Sequence, residues 1–177
     1  VIFSAHGAPT AAYDEADRRN LTTIDATCPL VFKVHNEVRR HVSLGRHVLV
    51  VGHTGHPEVT GVIGQAPAGT VTVIETIGEA LTVEPPPGAL AYVTQTTLSV
   101  DDTAAIVAAL QRRFPALSGP RKSDICYATT NRQAAVKKIA SGAALVLVIG
   151  SPASSNSNRL VETAIKAGAA DARLVDD

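Results

Sequence analysis

The stretch Gly52-His53-Thr54-Gly55-His56-Pro57-Glu58 sets two imidazoles and a carboxylate close together. That set can move protons, with Glu58 as the proton donor and His56 as a donor to an anion or hydroxyl. It can also hold a metal through His53, His56 and Glu58, or simply cap backbone groups. The flanking glycines favour close approach of a ligand. His6, in Ser4-Ala5-His6-Gly7, gains weight from an equivalent place after another apolar run. Ser154-Ser155-Asn156-Ser157-Asn158 offers hydroxyls and amides for an anion cradle, although one such residue is also the ordinary helix cap. Thr94-Gln95-Thr96-Thr97-Leu98-Ser99 can orient a polar ligand or serve as a strand end with a cap. Cys28 and Cys126 each precede an expected helix, where reactive and metal-ligating cysteines are found. Two thiols fit a zinc site, a redox disulfide or an iron–sulfur cluster, or plain core packing. They lack the C-x₂-C spacing of zinc ribbons and ferredoxins.

The elements that must carry these residues alternate short β-branched runs with helical stretches, the pattern of an α/β fold with parallel strands. Strands are expected at Val1 to Phe3, Leu21 to Ile24, Val48 to Val51, Val71 to Ile74, Leu90 to Val93, Leu145 to Ile149 and from Ala172. Helices are expected after Pro9, after Pro29, from Asp101 and Asp102 to Phe114, over Thr129 to Ala140 and over Asn158 to Ala167. Glu84-Pro85-Pro86-Pro87-Gly88 reads as a surface loop, and the stretch from Phe114-Pro115 to Gly119-Pro120 as a linker. Three apolar runs each end in a polar loop and then a helix. Asp25-Ala26-Thr27-Cys28 echoes Asp124-Ile125-Cys126. These echoes point to repeated α/β lobes. Ligands of such sheets bind beyond the carboxyl ends of the strands, where the polar clusters fall.

Composition narrows the function classes. The chain has 177 residues, 45% hydrophobic and 18% charged, an ordinary globular mix. Lys plus Arg equals Asp plus Glu at 16 each, and aromatics are 3%, so a nucleic-acid partner is not expected. Two cysteines do not make a disulfide scaffold. No apolar run reaches the ~20 residues of a membrane span, and no secretory leader is visible. The chain contains no Met and opens on Val1-Ile2-Phe3, which reads as a piece of something longer.

Taken in order, these strings resemble the 4-hydroxy-3-methylbut-2-enyl diphosphate reductase (LytB-type) family. The matching strings are Ser4 to Gly7, Asp25 to Val31, Gly52 to Val59, Thr94 to Thr103, Asp124 to Gln133 and Ser154 to Leu160. The resemblance implies a trefoil of three α/β lobes around a [4Fe-4S] cluster. It implies reductive removal of an allylic hydroxyl to give isopentenyl and dimethylallyl diphosphate, the terminal step of non-mevalonate isoprenoid synthesis. Cys28 and Cys126 would be two of three cluster ligands. Glu58 would supply protons through the hydroxyl of Thr96. His6, His56, Ser154, Ser155 and Asn156 would hold the diphosphate, with Gln95 and Thr97 as near neighbours of the substrate. A ferredoxin or flavodoxin would deliver electrons, and the setting would be the cytoplasm, or a plastid for a plant or alga.

The same resemblance implies that the first and third lobes are incomplete. Residues 1–28 would be the C-terminal part of the first lobe, 29–120 a complete second lobe, and 121–177 the N-terminal part of the third. The third cluster cysteine of the family lies outside the matched strings, so the chain is expected to be inactive alone. The competing readings are a zinc-dependent hydrolase using His53, His56, Glu58 and a cysteine, and a phosphate-ligand-binding module using the Ser/Asn loop.

Overall fold

The computed structural model describes residues 1–176. The fold is α/β with small parallel sheets, as the alternation of elements requires. Two compact units are present: Val1–Gln95 with Ala104–Asp124, and Thr96–Thr103 with the chain from Ile125 onward.

The first unit runs β1 (Ile2–Phe3), α1 (Thr10–Arg18), β2 (Ile24–Asp25), α2 (Pro29–Ser43), β3 (His47–Val51), α3 (Pro57–Ile63), β4 (Val71–Ile74), α4 (Ile77–Thr82) and β5 (Leu90–Thr94). It also takes in most of α5 (Val100–Arg113). β1 and β2 form a two-stranded parallel sheet, with Ile2 opposite Ile24. The second sheet has the order β4-β3-β5, also parallel, with Val48 opposite both Val71 and Ala91.

All five residues of β3 are buried, and Val48 to Val51 within it read as an unbroken apolar run for that reason. Side chains alternate along a strand, so Val48 and Val50 share one face. They pack with Val34 and Val38 of α2, Val59 and Val62 of α3 and Val93 of β5. Every member of this cluster is valine. The spacing of Val31, Val34 and Val38 puts them on one stripe of α2. Pro29 opens that helix, and Gly45 at φ +70° follows its end.

The second unit holds the loop from Thr96, the start of α5, then α6 (Tyr127–Ala140), β6 (Val146–Ile149), α7 (Ser155–Lys166) and β7 (Ala172–Val175). β6 and β7 are parallel, with Val146 opposite Ala172. Its core is built of small residues: Ala140, Val146, Val148, Ala164, Ala169 and Ala172. Among the described residues no helix is long and apolar enough to cross a membrane.

Several elements differ from expectation: the strand expected over Leu21 to Ile24 forms at Ile24–Asp25, α6 starts two residues early, and three more differences have local reasons. Helix α7 starts three residues early, at Ser155, because Ser154 is its cap and accepts from the Ser157 N–H at 3.3 Å. Helix α4 was not expected, since it is short and only Ala80 is buried. Its signal was Thr76-x-x-Glu79, a capping pattern, and the Thr76 hydroxyl does accept from the Glu79 N–H at 3.1 Å. The stretch expected as a linker lies against β5. Tyr92 N–H donates to the Ser118 carbonyl at 2.8 Å, and Ser118 N–H to that of Leu90 at 3.1 Å.

Burial holds the imidazoles of His35, His41 and His47 below the ordinary range, His35 at about 4. In the unfolded chain these rings take up protons near pH 6.5. The folded protein does not, so falling pH favours unfolding from about 6.5 downward, and for His35 the loss stops growing below about 4. The midpoint of thermal unfolding should therefore be lower at pH 5.5 than at 7.5. The gap should narrow in His35→Gln; a gap equal to wild type would remove His35 from the account.

Candidate functional site

The first unit carries the His/Glu cluster at the carboxyl end of β3. The chain turns through Gly52 and Gly55 and enters α3 at Pro57. Gly55 has φ +80°, a left-handed turn that favours glycine. A Cβ at Gly52 would lie 2.7 Å from Val59 and 3.3 Å from Gln95, so only glycine fits that close passage. His56 is the helix cap, and its Nδ1 accepts from the Glu58 N–H at 3.2 Å. An accepting Nδ1 places the proton of the neutral ring on Nε2, which leaves Nε2–H as a donor. Burial, with His6 and His53 nearby, lowers the pKa of His56 and keeps the ring neutral. Glu58 is 1% exposed.

His6 meets this cluster. Its ring lies edge-on to that of His56, with centroids 5.5 Å apart. The Ser4 hydroxyl lies 3.3 Å from His6 Nδ1. The turn closes at Gly7, φ +73°, where an added Cβ would fall 2.5 Å from the His35 ring. Thus the rings of His6 and His56 lie together within one unit, and Glu58 follows His56 in the first turn of α3.

The metal site from His53, His56 and Glu58 does not form. Among the described residues no three His, Cys, Asp or Glu side chains come together as a metal site. His53 turns away: its Nδ1 lies 3.4 Å from Glu75, whose carboxylate also accepts from the Thr54 N–H at 2.9 Å. Those Thr54 bonds hold the Glu75 carboxyl below the usual carboxylate range. Gln95, 1% exposed, accepts from the His53 N–H at 3.1 Å. It braces the loop that bears His56.

In the second unit the loop after β5 carries Thr96 and Thr97. The Cys126 N–H donates to the Thr96 carbonyl at 2.9 Å. The Thr97 hydroxyl donates to that of Ser155 at 3.1 Å. The Ser154 hydroxyl accepts the cap bond of α7, which leaves its O–H as a donor, so the cap and anion readings are compatible. Asn156 differs: its Oδ1 is buried without a partner. A buried amide atom left unpaired is costly. The oxygen and nitrogen of an Asn amide exchange by a half-turn, so the same place can present an N–H to an anion.

Cys28 and Cys126 are free thiols of intermediate exposure. Each is the residue before a helix, and neither side chain makes a cap hydrogen bond. Their backbones match, at φ −56°, ψ 131° and φ −58°, ψ 133°. Each backbone N–H is tied to a loop after a strand: Cys28 to the Ala5 carbonyl at 3.0 Å, Cys126 to that of Thr96. Two unspent thiols in one repeated setting suit an iron–sulfur group, whose ligands are thiolates. A three-thiolate centre needs one more than the two this sequence contains.

Sequence reasoning missed the buried braces. Asp124, 1% exposed, accepts from Lys33 Nζ at 2.8 Å and from the Thr94 N–H at 3.0 Å. Lys33 also donates to the Lys122 carbonyl at 2.9 Å. The echo of Asp25 and Asp124 was the available signal, but Asp25 is exposed and bonds locally to the Thr27 N–H.

The sequence matches the LytB protein family over residues 1–177, and the chain belongs to that family. It is 61% identical over 176 residues to a 4-hydroxy-3-methylbut-2-enyl diphosphate reductase of Hyphomonas neptunium, covering 99% of this chain and 56% of that protein. For the reductase of the same name from Paracoccus denitrificans the values are 60%, 99% and 56%. The solved E-1-hydroxy-2-methyl-but-2-enyl-4-diphosphate reductase of Plasmodium falciparum aligns at TM-score 0.93 and 39% identity. That alignment covers 98% of this chain and 54% of that one. The chain spans about half the length of the curated relatives it matches.

The Lys33–Asp124 pair yields a directional test. Burial pushes the Asp124 carboxyl up, so it can accept a proton when its partner is removed and still take the Thr94 bond. Asp124→Ala strips the buried Thr94 N–H of its acceptor, which should cost roughly 1–3 kcal/mol, while the part-exposed Lys33 keeps Glu37 and the Lys122 carbonyl. Lys33→Met should cost clearly less. Urea unfolding of both variants checks the order, and equal losses would refute it.

Proposed function

We propose that this chain is the part of a 4-hydroxy-3-methylbut-2-enyl diphosphate reductase that carries its proton donors, much of its diphosphate site and two of its three cluster thiolates. The observation that carries the reading is the repeated cysteine cap, Cys28 and Cys126, with matched backbones and unspent thiols. The named relatives support it at 61% and 60% identity.

The reaction removes an allylic hydroxyl by reduction. The C–O bond breaks, and the hydroxyl takes one proton and leaves as water. Two electrons and a second proton convert the allyl fragment into the isopentenyl or dimethylallyl product. The electrons come from a ferredoxin or flavodoxin. Cys28 and Cys126 would hold a [4Fe-4S] cluster, which supplies those electrons and a Lewis-acidic iron when bound.

The remaining work falls to side chains of this chain. Glu58 is the proton source, and its burial excludes competing water. Thr96 presents a hydroxyl for proton transfer. His56 donates through Nε2–H to the diphosphate, and His6 stands beside it. Asn156 supplies an amide N–H, with Ser154, Ser155 and Thr97 around it. Gln95 holds the loop that presents His56. Neutral donors aimed in advance can hold an anion without net charge.

In the full-length holoprotein, Glu58→Gln should lower kcat on the order of 100-fold or more, as loss of a proton donor does. Asn156→Ala should raise KM for the diphosphate. The 177-residue chain alone, one thiolate short, should show no turnover after anaerobic reconstitution, and EPR follows the cluster in the same samples. Turnover by that chain, or an unchanged kcat in Glu58→Gln, would overturn the assignment.

A further inference from the structure

The loop Thr96 to Ser99 has no regular structure, yet the reading above asks it to hold Thr96 and Thr97 in place. Side chains and backbone of the second unit hold it at several points. The Cys126 N–H takes the Thr96 carbonyl. The Thr97 hydroxyl meets Ser155. The third hold is Gln133, 2% exposed on α6. Its amide nitrogen donates to the Leu98 carbonyl at 2.9 Å, and its amide oxygen accepts from the Val100 N–H at 3.0 Å.

A primary amide can do both at once, because its nitrogen only donates and its oxygen only accepts. The two bonds fall on either side of Ser99 and fix that peptide turn. Gln133 is two turns along α6 from Cys126, so both lie on one face of the helix. Lys137, one further turn on, pairs with Asp101 at 2.6 Å. One rigid helix thus carries a cluster thiolate at its start and grips the Thr96 loop along its side.

We propose that Gln133 is a positioning residue for the reductase reaction: it sets the Thr96 hydroxyl relative to the helix that bears Cys126. The inference rests on the function proposed above. Gln133 touches neither substrate nor cluster in this role. Its effect falls on proton delivery through Thr96 rather than on diphosphate affinity.

The test uses the full-length holoprotein and two variants. Gln133→Glu has nearly the same shape. Its carboxylate still accepts from Val100 N–H but sets a second acceptor against the Leu98 carbonyl. Protonation restores the donor. At pH 8 kcat should fall roughly ten- to a hundredfold, the scale of a misplaced catalytic group, with KM changed less than about twofold on the same argument. The deficit should shrink as pH falls, and the EPR spectrum of the cluster should match wild type. Gln133→Leu, which offers no hydrogen bonds, should show the same loss of kcat at every pH.

Wild-type kcat in either variant overturns the inference, as does a change confined to KM. Failure of both variants to fold also overturns it, since the role is then stability of the unit. Thr96→Val separates this inference from the one beneath it. If Thr96→Val keeps full turnover, the assignment of Thr96 has failed. If Thr96→Val loses turnover while the Gln133 variants keep it, only the positioning role has failed.

Discussion

Backbone polar groups at the carboxyl end of a buried strand must find partners when the chain leaves the sheet. In this protein polar side chains, most of them buried, answer that demand, and the site is built on their answers. Thr94 N–H, the last of β5, is taken by Asp124. His53 N–H, just past β3, is taken by Gln95. Thr54 N–H is taken by Glu75. In the second unit Gln133 takes Val100 N–H and gives to the Leu98 carbonyl. Each brace fixes a loop that bears a candidate functional residue. The loops are irregular in form but not loose in attachment.

The same burial dictates the electrostatics. Taking an imidazole from water penalises its charged form, and His35, His41, His47 and His56 are all shifted in that direction. The neutral His56 then has one acceptor and one donor nitrogen, and the Glu58 N–H fixes which is which. A cationic ring would lose that bond, because its Nδ1 would carry a proton. In the proposed function, anion binding by this unit would come from orientation, not from formal charge. Balanced composition is compatible with a diphosphate ligand for that reason.

Much of the fold was legible because the core signals are local. Val48 to Val51 reads as a central strand, and Val31, Val34 and Val38 as one helix face, and both are so. Pro29 after Cys28 was legible as a helix start, whereas the cap of the last helix was not fixed within a serine run that continues into α7. The sheet formed by Ile2–Phe3 and Ile24–Asp25 was harder, since two residues carry no periodicity. The metal reading of His53 failed for a physical reason. Spacing along a loop sets no direction for a side chain, and Glu75, distant in sequence, draws His53 away. Asp124, Gln133 and Glu75 were invisible as braces because each holds its loop through a backbone N–H group, which nearly every residue has. No residue type at the far end marks such a bond.

The two cysteines show what repetition adds to that limit. A single cysteine before a proline or a tyrosine is a weak signal, and burial alone would explain it. In both units the cysteine N–H is tied to a carbonyl in the loop after a strand, and its own carbonyl accepts from the N–H four residues on. A helix cap of this type usually spends its side chain on the first turn. Cysteine is a poor cap, and here neither sulfur is used that way. The helix start gives up a cap hydrogen bond twice, at the same place in the local architecture, and in each case keeps a thiol for another use. Core packing does not require that coincidence, and thiols left unspent in this way are what the proposed function asks of each helix start.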